Sequence, residues 1–583
     1  MNAVTPPFTK VQGYHLRNRM ITYETRDGEA MLATGWFWIS ESVTCPTTGN
    51  RSWLLEVQPV DCDRSVLLVR PEDLNTKYLK KALGERGIIL HQESKVPHYL
   101  SMTAAFGGST ELEPRVLIEN PGWFADGRGF YTGRKAIVAN SIDKRRYRFE
   151  PVSRAPVAVS GTLEDWQVEV ELITHSNPVL LATMCIFIAS PFLRKMGLGT
   201  RLVNIHGAKG TGKTLCSQIG ATIWGNGVDP AAGLYSEDPA YVTKFATTLN
   251  GIEPVLARYS PLPIALDEMT EQTTQMVGEL LYKLASGEGK HRMTSRMEAA
   301  TVNRWLLTIV STSERAVADA VKAGGKPLLG GQADRAIDIP VDRIGVISDY
   351  GLFEDFQQVT KHLKKACGEH YGVAGEAILQ FACDNPEVVT EVIGFAQEIE
   401  DRLMPSNCGN GERRVVKFLA GAVVAGWIAK RAGVLTCSEE DIEAAVKTVV
   451  SEWWNGRGGS LRRVAEFLHS NWSGVLAAPP KFGSPAKAFL HNGRVIIPDK
   501  IFENEFGKDT RKILSELVGL NALIREQSGR NKQRYCNNEL YTYAIAYDRI
   551  EPILVELGDR EEHADADADA GRLRVSLRDI EFD

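Results

Sequence analysis

Apolar residues come in short alternating or aromatic runs through the first part of the chain, and at three- and four-residue spacing after it. Trp36-Phe-Trp-Ile39, Trp53-Leu-Leu-Glu-Val57 and Ser65-Val-Leu-Leu-Val69 are β-branched and aromatic runs separated by turn-forming stretches, which predicts strands. Asn120-Pro-Gly-Trp-Phe124 and Asp126-Gly-Arg-Gly129 are turn clusters ahead of another strand-like run, Gly129-Phe-Tyr-Thr132. Residues 1–155 therefore read as a β-rich N-terminal domain. From Leu163 to Met196 the period turns helical, and from 197 to 345 strands alternate with helices as in a parallel sheet. Residues 156–345 thus read as an α/β core with a helical lead-in. Residues 346–458 read as a helical domain, strongest over Val415–Ala432 and Glu439–Trp453. Residues 459–550 read helix, helix, then two strands around a polar loop. Residues 551–583 are acidic, with Ala564-Asp-Ala-Asp-Ala-Asp-Ala-Gly571 inside them, and are expected to be disordered.

One run in the α/β core carries chemistry. Residues 207–214, Gly-Ala-Lys-Gly-Thr-Gly-Lys-Thr, fit the phosphate-binding pattern G-x-x-x-x-G-K-[ST]. Gly207, Gly210 and Gly212 let the backbone turn tightly, so that the loop formed with Ala208, Lys209 and Thr211 can point N–H groups at an anion. Lys213 brings positive charge to the β- and γ-phosphates. Thr214 offers a hydroxyl to Mg²⁺, which keeps most of its waters and a substrate phosphate. Arg201-Leu-Val-Asn-Ile-His206 reads as the strand entering the loop, and Leu215, Ile219 and Ile223 recur at helical spacing after it, with Gly225 as a C-terminal cap. The expected ligands are ATP and Mg²⁺.

Three further signals follow in the order an ATP-hydrolysing site needs. Pro263-Ile-Ala-Leu-Asp-Glu268 is an apolar strand ending in adjacent carboxylates, with Asp267 54 residues after Lys213. Asp267 suits the metal through its water shell, and Glu268 suits a base that polarises the attacking water. Trp305-Leu-Leu-Thr-Ile-Val-Ser-Thr-Ser-Glu314 is an apolar strand ending in hydroxyls. Lying beside the strand of Asp267, it would bring Thr312 or Ser313 to the γ-phosphate or the water. Arg335, in Gly330-Gly-Gln-Ala-Asp-Arg-Ala-Ile-Asp-Ile-Pro340, precedes a short strand; in a ring such an arginine reaches a neighbour's γ-phosphate, and otherwise it pairs with Asp334 or Asp338. Arg414 is a candidate second arginine for the same phosphate. Between the acids and the hydroxyl strand lies Ala285-Ser-Gly-Glu-Gly-Lys-His-Arg-Met-Thr-Ser-Arg296, a basic, glycine-punctuated stretch that suits a hairpin. Lys290, Arg292 and Arg296 are placed there to push on DNA phosphates, to face a nucleotide, or simply to be solvated.

Composition narrows the reading little. A 583-residue chain with 43% hydrophobic and 24% charged residues is ordinary for a soluble protein of several domains. The net charge of −6 argues against a chain dominated by non-specific nucleic-acid binding, though a local basic channel needs only its lining positive. Nine cysteines form no C-x-x-C pair and no zinc spacing, which suits a reducing, cytoplasmic setting. The apolar run Val179–Ala189 is too short to span a bilayer, which needs about 20 residues. Asn177-Pro178 ahead of it suits an N-cap and first-turn proline, so a buried helix is expected, and no membrane association. Lys144-Arg-Arg-Tyr-Arg148 reads as a solvated strand face, with contact to a nucleic-acid backbone as the alternative.

At this point the residues resemble a known family, domain of unknown function 927, which includes the Cch-like helicases of mobile genetic elements. The matching pieces are Gly122-Trp123 with Phe130-Tyr-Thr-Gly133, Gly161-Thr-Leu-Glu-Asp-Trp166, the phosphate loop, Leu266-Asp-Glu268, Leu284-Ala-Ser-Gly-Glu-Gly-Lys290 with Arg292, Ser311-Thr-Ser-Glu314, and Arg335 with Asp338-Ile-Pro340. They cover about residues 110–345. The resemblance implies a P-loop AAA+ ATPase core related to hexameric MCM-like helicases, a helical lid and a C-terminal winged helix. It implies an arginine finger acting in trans, which falls on Arg335, and a hairpin at residues 290–300. Ser313 stands where the family usually has glycine, which leaves the sensor position open. The core catalytic residue types are all present, so activity is expected.

The C-terminal module agrees with that plan. Asp509-Thr-Arg-Lys-Ile-Leu-Ser-Glu-Leu-Val518 suits a recognition helix, and Leu523-Ile-Arg-Glu-Gln-Ser-Gly-Arg-Asn-Lys-Gln-Arg-Tyr535 suits a wing that turns at Gly529 and exposes Arg530, Lys532 and Arg534 to DNA. Protein docking is the alternative, with Arg511 and Lys512 leaning toward DNA. The expectation is therefore an ATP-dependent DNA helicase or translocase of a mobile element or phage-like replicon, self-associated into a hexameric ring with single-stranded DNA in its channel. An ATPase that remodels protein partners, and an initiator that uses nucleotide only to assemble, are the alternatives.

Overall fold

The computed structural model describes residues 6–45, 49–61, 63–74, 76–107, 115–118, 120–149, 155–231, 237–244, 251–268, 281, 283, 286–289, 302–317, 335–341, 345–405, 408, 410–457, 459–476, 486–507, 510–526, 529–535 and 540–554. The fold is mixed α/β. Its first part holds two five-stranded sheets. One is an antiparallel meander from Lys10–Val11 to Gly28–Thr34, closed by Ile89–Leu90; the other runs in the order Tyr147–Phe149, Arg115–Ile118, Trp36–Thr44, Arg51–Gln58, Ser65–Val69. Two helices not expected from the sequence, Thr76–Gly84 and Val96–Gly107, cover them. Tyr99 is fully buried against Phe37 and donates its hydroxyl to the Phe37 carbonyl at 2.7 Å.

The centre of the chain is a five-stranded sheet of β1 (Arg201–His206), β2 (Val242–Lys244), β3 (Ile264–Asp267), β4 (Thr308–Ser313) and β5 (Ala336–Pro340). Every pairing is parallel, and the order is β2-β3-β4-β1-β5. Helix α1 (Pro178–Ala189) is apolar all round, and every residue from Val179 to Ala189 is buried. It packs between α2 (Lys213–Thr222) on one side and two later helices, Asn410–Arg431 and Glu439–Arg457, on the other. One continuous hydrophobic core joins these helices to the sheet and reaches back to Phe130 and Ile137 of a small three-stranded sheet. Among the described residues no helix is long and apolar enough to cross a membrane.

Two sequence features work differently from expectation. Asn177 sits at the cap position of α1 but does not cap it: its Oδ1 accepts the Ser348 and Asp349 N–H groups at 2.7 and 2.9 Å, tying the lead-in to the loop after β5. Gly225 is no left-handed cap either. It is small because a Cβ there would lie 2.7 Å from the Pro156 carbonyl oxygen. The Gly-Thr-Leu-Glu-Asp-Trp stretch has a local logic of its own. Thr162 accepts the Asp165 N–H at 3.1 Å as an N-cap, and fully buried Trp166 donates to Thr222 Oγ1 at 2.9 Å, fixing the far end of α2.

Residues 461–554 have a core of their own. The hairpin Ala488–His491 and Arg494–Pro498, missed in the sequence, precedes helices Asp499–Phe506 and Thr510–Gly519. Leu523–Ile524 and Lys532–Tyr535 then pair in succession with the same edge of Leu540–Ala546. Gly529 (φ +80°) therefore turns an excursion within one edge, and the hairpin proper closes between Tyr535 and Leu540. A further helix, 547–554, buries Ile550 and Leu554, so ordered packing continues past 551.

Gly220 sits where α2 crosses α1, and a Cβ there would stand 2.4 Å from the Phe187 ring. Gly220→Val should lower stability by about 1–3 kcal/mol through overpacking, read as a reduced urea midpoint.

Candidate functional site

β1 lies between β4 and β5 and delivers the chain to the glycine loop at the C-terminal edge of the sheet. The Gly207 N–H donates to the Ser313 carbonyl at 3.3 Å, fastening the start of the loop to the end of β4. Gly210 and Gly212 take φ of +87° and +91°, the left-handed region that a side chain disfavours. A Cβ on Gly212 would also press on Val346 and the Phe356 ring, both 3.4 Å away. Within the loop the Thr211 hydroxyl donates to the Ala208 carbonyl at 3.0 Å, and Lys209 stays exposed. The Lys213 ammonium donates to the Gly207 and Ala208 carbonyls at 2.8 and 2.6 Å. Helix α2 starts here, so its unpaired N–H groups and dipole favour an anion at the loop. Cys216, one turn on, is a free, buried thiol that burial pushes up to about 12.

The acids meet this loop across the sheet. Asp267 Oδ1 accepts the Thr214 hydroxyl at 3.2 Å and the Thr312 hydroxyl at 2.7 Å. Thr312 Oγ1 in turn accepts the Glu268 N–H at 3.1 Å. Glu268 leaves the strand with φ +58°, an uncommon conformation for a residue with a side chain, and is exposed. One carboxylate oxygen thus joins the loop helix, β3 and β4. Ser313 points the other way, as alternation along a strand requires. It donates to Asn204 Oδ1 at 2.9 Å, as Ser311 does at 3.1 Å. Asn204 Nδ2 donates to Asp338 at 2.7 Å, which completes a polar band across β4, β1 and β5, buried at Asn204, Ser311 and Ser313 and half-buried at Asp338. Of the two hydroxyls considered for the γ-phosphate side, Thr312 alone is on the face of the acids.

The other candidates are placed unevenly. Arg335 is half-buried just before β5, where its carbonyl accepts the Leu202 N–H at 3.2 Å. Since β5 runs parallel to β1, Arg335 lies at the opposite edge from its own glycine loop, about 20 Å away along the strands. Arg414 is exposed on the first turns of Asn410–Arg431 and makes no hydrogen bond or ion pair to the loop. Lys290, Arg292 and Arg296 lie outside the described residues. The base of their segment is an antiparallel bridge between Glu288 and Arg304. In the C-terminal module, Arg530 is exposed and Arg534 stacks 4.9 Å from the centroid of the exposed Tyr541 ring. Lys532 is paired with acids of its own module: its ammonium binds Glu503 at 2.8 Å and Asp499 at 2.9 Å, which raises its pKa and lowers that of Glu503.

Sequence reasoning missed two residues of this edge. Asn204 is one, although a lone amide inside Leu202-Val-Asn-Ile205 was a usable signal. Lys244 is the other: it ends β2 in register with Asp267 and is exposed on the edge where the loop opens.

Residues 17–304 match the family described as "Domain of unknown function (DUF927)". The chain carries that family's domain over residues 17–304. The match begins far ahead of residue 110, so the β-rich first part lies within the family's own domain. The fold is also that of a solved structure, "SCCmec type IV Cch - active helicase", with a TM-score of 0.57 at 16% identity over 94% of this chain and 100% of that one. The apo NrS-1 C-terminal region shows a slighter likeness, TM-score 0.27 at 12% identity over 87% of this chain and 96% of that one. No curated protein matches the chain.

The polar band gives a test of the site's frame. Asn204→Leu leaves Asp338, Ser311 and Ser313 without their shared partner and should cost about 1–3 kcal/mol, measurable by chemical denaturation.

Proposed function

We propose that the chain is an ATP-dependent DNA helicase or translocase of a mobile genetic element or phage-like replicon, built on a P-loop AAA+ core and working as a hexameric ring. The observation that carries this reading is the sharing of one Asp267 oxygen by the hydroxyls of Thr214 and Thr312 beside a glycine loop that ends in Lys213. The first part of the chain, the core, the helical lid and a winged helix would divide near residues 155, 345 and 458, and the acidic tail would follow the helix that ends at 554.

In this reading the loop N–H groups from Gly207 to Gly212 and the Lys213 ammonium hold the triphosphate. The hard oxygen donors of Thr214 and Asp267 fit Mg²⁺, which supplies positive charge to the phosphate oxygens when bound. Glu268 orients a water and takes its proton as the water oxygen bonds to the γ-phosphorus and the bond to the ADP oxygen breaks. Thr312 holds Asp267 and the Glu268 backbone in place. Arg335 cannot serve its own loop from the opposite edge, so a neighbouring subunit's phosphates are its target, and a ring provides one neighbour per site. DNA contact falls to Lys290, Arg292 and Arg296 in a central channel and to Arg530 and Arg534 on the winged helix; Arg414 would act at the subunit boundary. The remodelling alternative is favoured by one observation only, the neutralisation of Lys532 by Glu503 and Asp499.

ATP turnover should rise with single-stranded DNA, and unwinding should vanish in Lys213→Ala and Glu268→Gln. Turnover equal with and without DNA would favour the remodeller. Arg335→Ala should abolish turnover and spare nucleotide binding; loss of both would contradict action in trans. In DNA titrations across salt concentrations, Arg534→Ala should weaken binding and flatten the salt slope by about one, whereas Lys532→Ala should change neither.

A further inference from the structure

The distinctive run Leu284-Ala-Ser-Gly-Glu-Gly-Lys290 has no role yet in the chemistry above. Its described residues form a tight turn. The Ser286 hydroxyl donates to the Lys283 and Glu288 carbonyls at 2.7 and 2.9 Å, and Gly287 takes φ +76°. Gly289 N–H donates to the Asn303 carbonyl and Trp305 N–H to the Gly287 carbonyl, both at 2.8 Å. These bonds bring Gly287 and Gly289 against Asn303 and Trp305, the described residues on either side of Lys290, Arg292 and Arg296 in the chain.

That turn is clamped to one helix, α3 (Ile252–Tyr259), at both of its ends. At the first turn, Glu253 is 1% exposed and accepts the Lys283 ammonium at 2.7 Å, with the lysine side chain itself only 15% exposed. Gly289 closes over the pair, since a Cβ there would lie 2.7 Å from Glu253 Oε2. At the other end, Ser260 Oγ accepts the Leu306 N–H at 3.0 Å. α3 connects β2 to β3 and so runs directly into Asp267 and Glu268, while Leu306 leads into β4 and Thr312. The same few residues therefore join the base of the basic stretch to both strands of the acid cluster.

We propose that Glu253 is a positioning residue that couples the DNA-contacting stretch to the hydrolytic acids. This rests on the proposed helicase reading. A buried carboxylate is costly unless paired, and a pair of apolar residues would fill the same space at no electrostatic cost. What the ion pair adds is a fixed direction: it sets the register of Lys283 and Gly289 on α3, so that a load on that turn is passed to the helix feeding Asp267 and Glu268. Glu253 touches neither nucleotide nor DNA.

Glu253→Gln should keep nucleotide binding and DNA-free ATP turnover but lose stimulation by single-stranded DNA. Lys283→Met should behave alike. Because either change removes one half of a buried ion pair, the double variant Glu253→Leu/Lys283→Met is the deciding one. It should melt like the parent and still lack stimulation. A double variant that regains full stimulation reduces the pair to packing and overturns the proposal, as does an unchanged response in Glu253→Gln. Failure of the parent itself to respond to DNA would instead overturn the helicase reading.

Discussion

The site hangs on one oxygen. Asp267 Oδ1 receives a hydroxyl from the loop helix and another from β4. The sharing is possible only because β3 and β4 are parallel, with Leu266 in register with Ser311. A slip of one residue would carry Thr312 to the opposite face and present Ser311 or Ser313 instead. That slip is opposed on the other face by Asn204, which binds both serines and reaches Asp338. The two faces of β4 thus have separate work. One meets the acids, and the other locks the register that lets it do so.

The legible part of this protein was the part whose chemistry is local in sequence. The glycine loop, Asp267-Glu268 and the hydroxyl-ended strand announce themselves within ten residues each, and the alternation of strands and helices implied the parallel sheet. What stayed hidden depends on partners far along the chain. Asn177 looks like a cap until the loop at Ser348 and Asp349 is brought to it. Lys532 looks like a wing cation because its neutralising acids, Asp499 and Glu503, sit one helix and a turn earlier. Glycines misled for a related reason. A glycine states that a side chain is not tolerated, but not whether the cause is a backbone angle, as at Gly212, or a close neighbour, as at Gly225. The helices Thr76–Gly84 and Val96–Gly107 were masked by the β-rich pattern on either side of them.

Packing explains why so much of the chain surrounds so small a site. α1 is buried on every side and touches α2, β4 and the two long helices Asn410–Arg431 and Glu439–Arg457. The Gly-Thr-Leu-Glu-Asp-Trp stretch adds Trp166 against Thr222. Helix α2, whose first turn holds Lys213 and Thr214, is therefore fixed at its far end by one buried tryptophan and along its length by Phe187 over Gly220. A loop that relies on flexible glycines gains a stable orientation only when the helix behind it cannot tilt.

Strand direction also bears on assembly. In a parallel sheet every strand exposes its C-terminal end on one edge, and the glycine loop, both acids, Thr312 and Lys244 all collect there. Arg335 stands at the start of β5, on the other edge. Within one chain the sheet itself separates that arginine from the loop, and no side-chain rotation closes a gap of about 20 Å. If Arg335 has a role in hydrolysis, a second copy must present it, because two edges of one sheet can meet only when copies are arranged head to tail. A head-to-tail contact is heterologous, so it either closes into a ring or continues as a filament. The ring is the closed solution, in which every loop has an arginine and every arginine has a loop.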